Sequence, residues 1–170
     1  MHKDLLEQAR RLATLDIRKP KQASLRRAVS AAYYAVFHLL VDEACRVQIG
    51  AQHNQAPFRQ VLGRAFAHGV MKDACKSFGS GTLKQGVLKG LPTGFTIDKE
   101  IRQLAETFVD LQHKRHLADY DLTERFDRSD VLGLIEQVER RVEDFRNLAS
   151  SSEKRFFLAC LLAWKELANR

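Results

Sequence analysis

Apolar residues recur at helical spacing along most of the chain, and this periodicity predicts the secondary structure. The first amphipathic pattern covers residues 3–15, and a longer one covers about residues 22–47. The second of these helices is apolar nearly all round, which is typical of a helix in the middle of a bundle. A third helix is predicted over about residues 55–78, although Gly63 and Gly69 weaken its pattern.

The second half of the chain continues the helical pattern after one interruption. Residues 79–97 contain five glycines and one proline and are predicted to form a long loop, which is typical of a functional or mobile segment. A fourth helix is predicted to start near Asp98, a fifth to cover about residues 127–149 and a last one residues 152–168. The serines and glutamate at residues 150–153 have the pattern of a capping box for the last helix.

No segment shows the alternation of apolar and polar residues that a strand requires, and no internal repeat is visible. The sequence therefore predicts an all-α fold, an up-and-down bundle of four to five helices. The length fits a single domain over residues 1–170. Its core is predicted at about residues 22–148, with residues 3–15 and 152–168 as extra terminal helices.

Two predicted helices have apolar sides that should face the core. On the third helix this side consists of Phe58, Val61, Leu62, Ala65, Phe66, Val70 and Ala74. On the fourth helix it consists of Ile101, Leu104, Phe108 and Leu111. Arg115 falls in the middle of the second stripe, and Asp119 and Leu122 continue it. A charged residue therefore occupies a position where the periodicity requires a core residue.

The inward position of Arg115 has two interpretations. An arginine in such a place costs free energy unless it is paired or lies in a solvated cleft. Asp119 lies one turn later, where the two side chains can meet. The pair is either an ion pair that fixes the helix register or a phosphate-binding arginine oriented by its aspartate, and the residues alone leave both open.

A polar row with a spacing of four residues crosses the long apolar helix: Ser30, Tyr34, His38 and Asp42. Histidine suits acid–base chemistry near neutral pH, so His38 is a candidate catalytic residue. Histidines on helices are more often satisfied interior residues, and tyrosines more often core aromatics with a hydroxyl at the rim. Both readings of this row stay open.

The charge of the chain limits the classes of partner. There are 28 Lys and Arg residues against 21 Asp and Glu, a net charge of +7, which attracts phosphate backbones but also serves solubility. Five of the basic residues lie between Arg18 and Arg27. The charged N-terminus lacks a signal-peptide core, and the longest apolar runs are shorter than a membrane span. We therefore expect a cytoplasmic protein without a membrane partner.

Metal and thiol chemistry find little support in the sequence. The three cysteines, Cys45, Cys75 and Cys160, are far apart and are predicted to be buried free thiols. His113 and His116 have a spacing that could hold a metal, but no third ligand supports them. No phosphate-cradling glycine motif is present. We expect no metal and no cofactor.

Two motifs resemble the HEPN superfamily, whose name stands for higher-eukaryote and prokaryote nucleotide-binding. The first is S-x-A-Y-Y-A-x-F-H, from Ser30 to His38. The second is R-x-x-A-D-Y-D, from Arg115 to Asp121, which is similar to a segment on the last core helix of bacterial members. The order and separation of the two motifs also fit. The resemblance covers roughly residues 22–148.

The resemblance implies a helical bundle, dimerisation through the core helices, and action on RNA. Many members are metal-independent ribonucleases, toxins or defence components, and their partner is often a nucleotidyltransferase that acts as the antitoxin. The ribonucleases share R-x(4–6)-H, in which the arginine stabilises the phosphate and the histidine assists attack of the ribose 2′-OH. Here Tyr120 stands where the first possible histidine would be, and none follows at the permitted spacings.

The expected function is therefore that of a HEPN-like protein that binds RNA or a nucleotide, as a toxin or defence component with metal-independent activity on RNA. The candidate catalytic residues are Arg115, Asp119, Tyr120 and, as a substitute histidine, His38. The candidate substrate-binding residues are Ser30, Tyr34, Arg26 and Arg27. The expected partners are RNA or a nucleotide, a second copy of the chain and a nucleotidyltransferase. The alternative is a non-catalytic helical interaction and dimerisation module.

Overall fold

The computed structural model describes residues 1–169, and the regular structure in this part of the chain is entirely helical. The prediction of an all-α protein is therefore confirmed. Within residues 1–169 there are eight α-helices and one 3₁₀ turn, His53–Gln55. The helices are α1 His2–Thr14, α2 Gln22–Ile49, α3 Ala56–Gly63, α4 His68–Ser80, α5 Gln85–Leu88, α6 Lys99–Tyr120, α7 Arg128–Asn147 and α8 Ser152–Ala168. None of these helices is both long enough and apolar enough to cross a membrane.

The chain forms two compact units, and the first of them consists of Met1–Leu39 and Thr107–Asp144. In this first unit α2 and α6 run antiparallel, because Ser30 contacts Asp119 while Tyr34, further along α2, contacts Arg115. The core of the first unit is made of apolar side chains from all four helices: Leu6, Ala9, Leu25, Val29, Val36, Phe108, Leu111, Ile135 and Val138. The candidate residues named above, apart from Asp42, all lie in this unit.

The second unit consists of Leu40–Glu106 and the chain from Phe145 onward. In it α4 packs against α8. The ring of Phe78 lies at the centre of this packing, 4.9 Å from Phe157 and 6.1 Å from Trp164 between centroids. The residue that follows α4, Gly81, has a φ of 73°, a left-handed conformation that favours glycine and ends the helix.

The third predicted helix is wrong as a single element, because the chain breaks between α3 and α4. The residue before α4, Ala67, is extended (φ −103°, ψ 132°), and the adjacent Phe66 is buried. This break gives α4 a new direction, so one continuous periodicity does not describe both helices. Phe58 and Val61 were expected to face inward but are 63% and 67% exposed.

Three smaller expectations also need correction. The long loop at residues 79–97 contains a one-turn helix, α5, which packs on α8 with Val87 buried. Leu122 was expected to continue the inward row of α6, but it is 87% exposed because the helix ends at Tyr120. The last helix starts where the sequence indicated, yet the residue that caps it is Ser151, whose hydroxyl accepts from the Lys154 backbone N–H at 3.0 Å.

Candidate functional site

One face of α2 has polar side chains at every fourth position, and this row is longer than the sequence suggested: Gln22, Arg26, Ser30, Tyr34 and His38. Residues four apart lie on the same side of a helix. In the first unit this side faces the C-terminal half of α6 and the residues that follow it. Asp42 has the same spacing but lies in the second unit, where its carboxylate pairs with Arg46 at 2.8 Å.

Arg115 and Asp119 form an ion pair that is mostly shielded from water. Nε of Arg115 lies 2.7 Å from Oδ2 of Asp119, and the two side chains are only 25% and 20% exposed. The Nε–H does not point along a hydrogen bond to that oxygen, so the contact is mainly electrostatic. The other carboxylate oxygen accepts a 2.8 Å hydrogen bond from Oγ of the buried Ser30. Asp119 thereby connects α6 with α2.

Two tyrosine rings flank the guanidinium of Arg115. Nη2 of Arg115 donates a hydrogen bond of 3.2 Å to Oη of Tyr34. The central carbon of the guanidinium lies 5.7 Å from the centroid of the Tyr34 ring and 5.7 Å from that of the Tyr120 ring. Both distances are within the range of cation–π attraction. We call Arg115, Asp119, Ser30, Tyr34 and Tyr120 the Arg115 centre.

These surroundings stabilise the positive charge of Arg115. Burial by itself lowers the pKa of the guanidinium, but the negative potential of Tyr34 and Asp119 outweighs it and raises the pKa overall. Arg115, like other arginines, is a cation at neutral pH, and a quarter of its side chain remains in contact with solvent. A cation held in this way offers a ready site for an anion, and a phosphate is the anion that arginine binds best.

Tyr120 is the exposed edge of the Arg115 centre. It is the last residue of α6, and 65% of it is exposed. The imidazole of His116, one turn earlier, lies 5.0 Å from the Tyr120 ring between centroids. This contact of His116 was not predicted, although its four-residue spacing from Tyr120 places both rings on one side of α6. An exposed aromatic ring beside a cation is the arrangement on which nucleic-acid bases stack.

His38 borders the Arg115 centre on the α2 side. Its imidazole stacks on the Tyr34 ring at 6.2 Å and 30°, and meets Phe37 edge-on at 5.4 Å. Burial, helped by the positive N-terminus of the chain, lowers the pKa of His38 below its ordinary value of 6.5. At neutral pH the imidazole is therefore uncharged and has a nitrogen that can accept a proton.

The two candidate phosphate ligands at the start of α2 have different surroundings. The guanidinium of Arg26 donates hydrogen bonds to four backbone carbonyls at and beyond the end of α6. Arg27, the next residue, is exposed to solvent. The structure therefore brings Ser30, Tyr34, Arg115, Asp119 and Tyr120 into one centre with His38 beside it. Arg26 instead holds the backbone at the end of α6 and in the segment that follows it.

Within residues 1–169, no group of three or more His, Cys, Asp or Glu side chains is arranged to hold a metal ion. The chemistry available at the Arg115 centre is that of its own side chains: a fixed cation, an exposed aromatic ring and a neutral imidazole nearby.

Comparison of the chain with protein-family models, with curated proteins and with solved structures found no match.

Proposed function

We propose that this chain is a HEPN-like protein that binds RNA, with one phosphate on Arg115 and a base on Tyr120. The observation that carries the proposal is the position of Arg115, which is held by Asp119 and flanked by two tyrosine rings while a quarter of its side chain stays exposed. A purely structural ion pair has no need of an exposed aromatic ring beside it. The net charge of +7 supports attraction of a polyanion.

The proposal includes cleavage of the bound RNA, with His38 as the general base. A neutral imidazole can take the proton of a ribose 2′-OH while the 2′ oxygen attacks the adjacent phosphorus. The bond from phosphorus to the 5′ oxygen breaks, and that oxygen takes a proton from water. The products are a 2′,3′-cyclic phosphate and a 5′-hydroxyl end. Arg115 stabilises the charge that develops on the phosphate oxygens.

A mixed pool of RNA tests the proposal directly. Wild-type protein should bind and shorten the RNA, Arg115→Ala should lose both activities, and His38→Ala should lose cleavage and keep binding. The matched control is Arg140→Ala, which removes an exposed arginine from α7 of the same unit. Undiminished cleavage by both the Arg115 and the His38 variants would end the catalytic part, and absence of binding at low salt would end the whole proposal.

The family resemblance adds two protein partners to the proposal, a second copy of this chain and a nucleotidyltransferase that acts as the antitoxin. Growth inhibition on expression that is relieved by co-expressed nucleotidyltransferase would support toxin–antitoxin pairing. A measurement of molecular mass in solution decides on the dimer, and a mass of one chain at micromolar concentration would contradict it.

A second function is favoured by a different observation, the double use of the Asp119 carboxylate. Because Asp119 binds both Arg115 and Ser30, it ties two antiparallel helices of the first unit together. The same residues would then serve a non-catalytic interaction module, in which the ion pair fixes the bundle. Loss of folding or of dimerisation in Arg115→Ala would favour this module, whereas loss of RNA binding in a folded variant favours the first proposal.

A further inference from the structure

Helix α6 ends beside the Arg115 centre, and one side chain of α2 caps that end. The last four carbonyls of a helix have no partner within the helix unless the following chain or a side chain supplies one. Nη1 of Arg26 donates to the carbonyl of Ala118 at 2.9 Å and to that of Leu117 at 3.3 Å. The Leu117 carbonyl also accepts from the backbone N–H of Asp121 at 3.0 Å. Arg26 thus closes the C-terminus of α6.

The same guanidinium also holds the chain that follows α6. Nη2 of Arg26 donates to the carbonyl of Asp121 at 2.8 Å and to that of Glu124 at 2.6 Å. The Phe126 ring lies 5.7 Å from the guanidinium carbon. These contacts fix three points of the segment after the helix, all of them from one side chain.

Gln22, one turn before Arg26, braces the far end of this segment. Its side-chain amide donates to the carbonyl of Phe126 at 2.8 Å and accepts from the Phe126 backbone N–H at 3.0 Å. Within the segment, Asp121 closes a local turn by accepting from the backbone N–H groups of Thr123 and Glu124. We call Gln22 and Arg26 the α2 clamp.

The hydrogen bonds of Arg26 engage both of its terminal nitrogens. Nη1 and Nη2 carry four N–H donors in total, and four carbonyls accept from them. Binding a phosphate through these two nitrogens would therefore take donors from the part-buried carbonyls of Ala118, Asp121 and Glu124, which is costly. The two residues that complete the Arg115 centre on α6, Asp119 and Tyr120, lie between the clamped carbonyls of Ala118 and Asp121.

We infer that Arg26 and Gln22 are positioning residues, which hold the end of α6 so that Asp119 orients Arg115 and Tyr120 stays beside it. The polar row of α2 then has two parts: the clamp in its first turns and the contacts to the Arg115 centre after it. This inference rests on the proposed function only for its RNA readout. Its structural consequence, the environment of the Arg115 guanidinium, is measurable without RNA.

The first test is the NMR signal of the Arg115 Nε–H group in the free protein. In the wild type this signal should be displaced from those of exposed arginines by the Asp119 carboxylate and the two tyrosine rings. Arg26→Ala should move it to the position of the exposed arginines, and Gln22→Ala should move it part of the way. The matched control, Arg27→Ala, removes the same charge at the next position and should leave the signal unchanged. An unchanged Arg115 signal in folded Arg26→Ala protein would overturn the inference.

The second test is a double-mutant cycle on the affinity for a single-stranded RNA oligonucleotide. Arg26→Ala should weaken binding about tenfold in the wild-type background. In an Asp119→Asn, Tyr120→Ala background it should have almost no further effect on affinity, because the groups it positions are gone. If Arg26 had a merely structural role, Arg26→Ala would weaken RNA binding equally in the Asp119→Asn, Tyr120→Ala background. That outcome would also overturn the inference. If Arg26→Ala does not fold, Arg26→Lys and Gln22→Ala are carried through the same cycle.

The two tests separate this inference from the proposed function. A displaced Arg115 signal that responds to Arg26→Ala, in a protein that binds no RNA, would support the clamp and contradict the RNA site. RNA binding that depends on Arg115 but tolerates loss of Arg26 would support the RNA site and contradict the clamp.

Discussion

Nε of Arg115 lies 2.7 Å from Oδ2 of Asp119, one helical turn later on α6. A cation on the inward row of a helix is unfavourable because burial removes water from it. The Asp119 carboxylate compensates for this desolvation and holds the guanidinium in one position. The remaining exposure of Arg115 is what makes it available to an external anion. Under the proposed function, the same pair would therefore contribute to both stability and RNA binding.

The ion pair should be worth more than an exposed pair on the same helix. Asp119→Ala removes the partner of Arg115 and of the Ser30 hydroxyl and should lower the free energy of unfolding by about 1–3 kcal/mol. Asp110→Ala is the matched control, because Asp110 and Lys114 have the same spacing but are 3.8 Å apart and roughly half exposed. Its effect should stay below about 0.5 kcal/mol. Urea unfolding of both variants measures the difference, and equal losses would contradict the shielded ion pair.

His38 should make the protein less stable in mild acid. Burial lowers the pKa of the folded imidazole below the value of 6.5 that applies to the unfolded chain. The unfolded state therefore binds a proton first as the pH falls, and stability is lost from about pH 6.5 downward through the folded pKa. The free energy of unfolding of wild type should fall more between pH 7 and pH 5 than that of His38→Gln.

The control for the acid effect is His53→Gln, which replaces an exposed histidine. Its unfolding free energy should depend on pH as that of the wild type does. A wild-type pH dependence that His38→Gln leaves unchanged would mean that His38 is not the group responsible.

Two glycines of α4 should respond in opposite directions to the same substitution. A Cβ at Gly79 would lie 2.9 Å from Cγ and 3.2 Å from the backbone nitrogen of Glu106, so Gly79→Ala should cost about 1–3 kcal/mol of stability. A Cβ at Gly69 would meet nothing within 4 Å, so Gly69→Ala should add about 0.5–1 kcal/mol through helix propensity. Thermal unfolding of the two variants checks the signs, and stabilisation by both would contradict the close packing at Gly79.

Periodicity was sufficient to predict most of the helices and the core rows, because burial repeats with the helical turn. The stripe from Ile101 to Leu111 is buried as expected, and Cys45, Cys75 and Cys160 are buried free thiols. The start of α8 and the end of α1 are also close to the predicted bounds.

The features that the sequence did not predict depend on backbone groups or on changes of direction. The break between α3 and α4 depends on tertiary packing, and the spacing of apolar residues within one segment carries no information about that packing. Arg26 was expected to contact a substrate, and its engagement with backbone carbonyls has no sequence signal of its own, since every residue carries a carbonyl. The four-residue spacing alone would have added Gln22 and Arg26 to the predicted polar row. The hydrogen-bond partners of these two residues are visible only in the structure.

Lys154 should be a structural residue of the second unit. Its ammonium group is buried and donates to the carbonyls of Phe145 at 2.8 Å and Leu148 at 3.0 Å, at the end of α7. It also lies 4.5 Å from the Phe145 ring centroid. Lys154→Ala should leave these carbonyls without a donor and cost about 2 kcal/mol of stability.

The control for Lys154 is Lys165→Ala, which removes an exposed lysine from the same helix and should change stability by less than about 0.5 kcal/mol. Guanidinium chloride unfolding measures both variants. Equal midpoints for Lys154→Ala and wild type would show that the capping contacts do not stabilise the fold.

The central claim is that Arg115 binds an RNA phosphate, and a salt titration of RNA affinity tests it most directly. Fluorescence anisotropy of a labelled single-stranded RNA would be measured for wild type, Arg115→Gln and Arg140→Gln over a range of salt concentrations. We predict that Arg115→Gln weakens binding more than about tenfold and reduces the salt slope by about 0.7, the loss of one phosphate contact. Arg140→Gln should stay within about twofold of wild type. Identical affinity and slope for wild type and Arg115→Gln would contradict the claim.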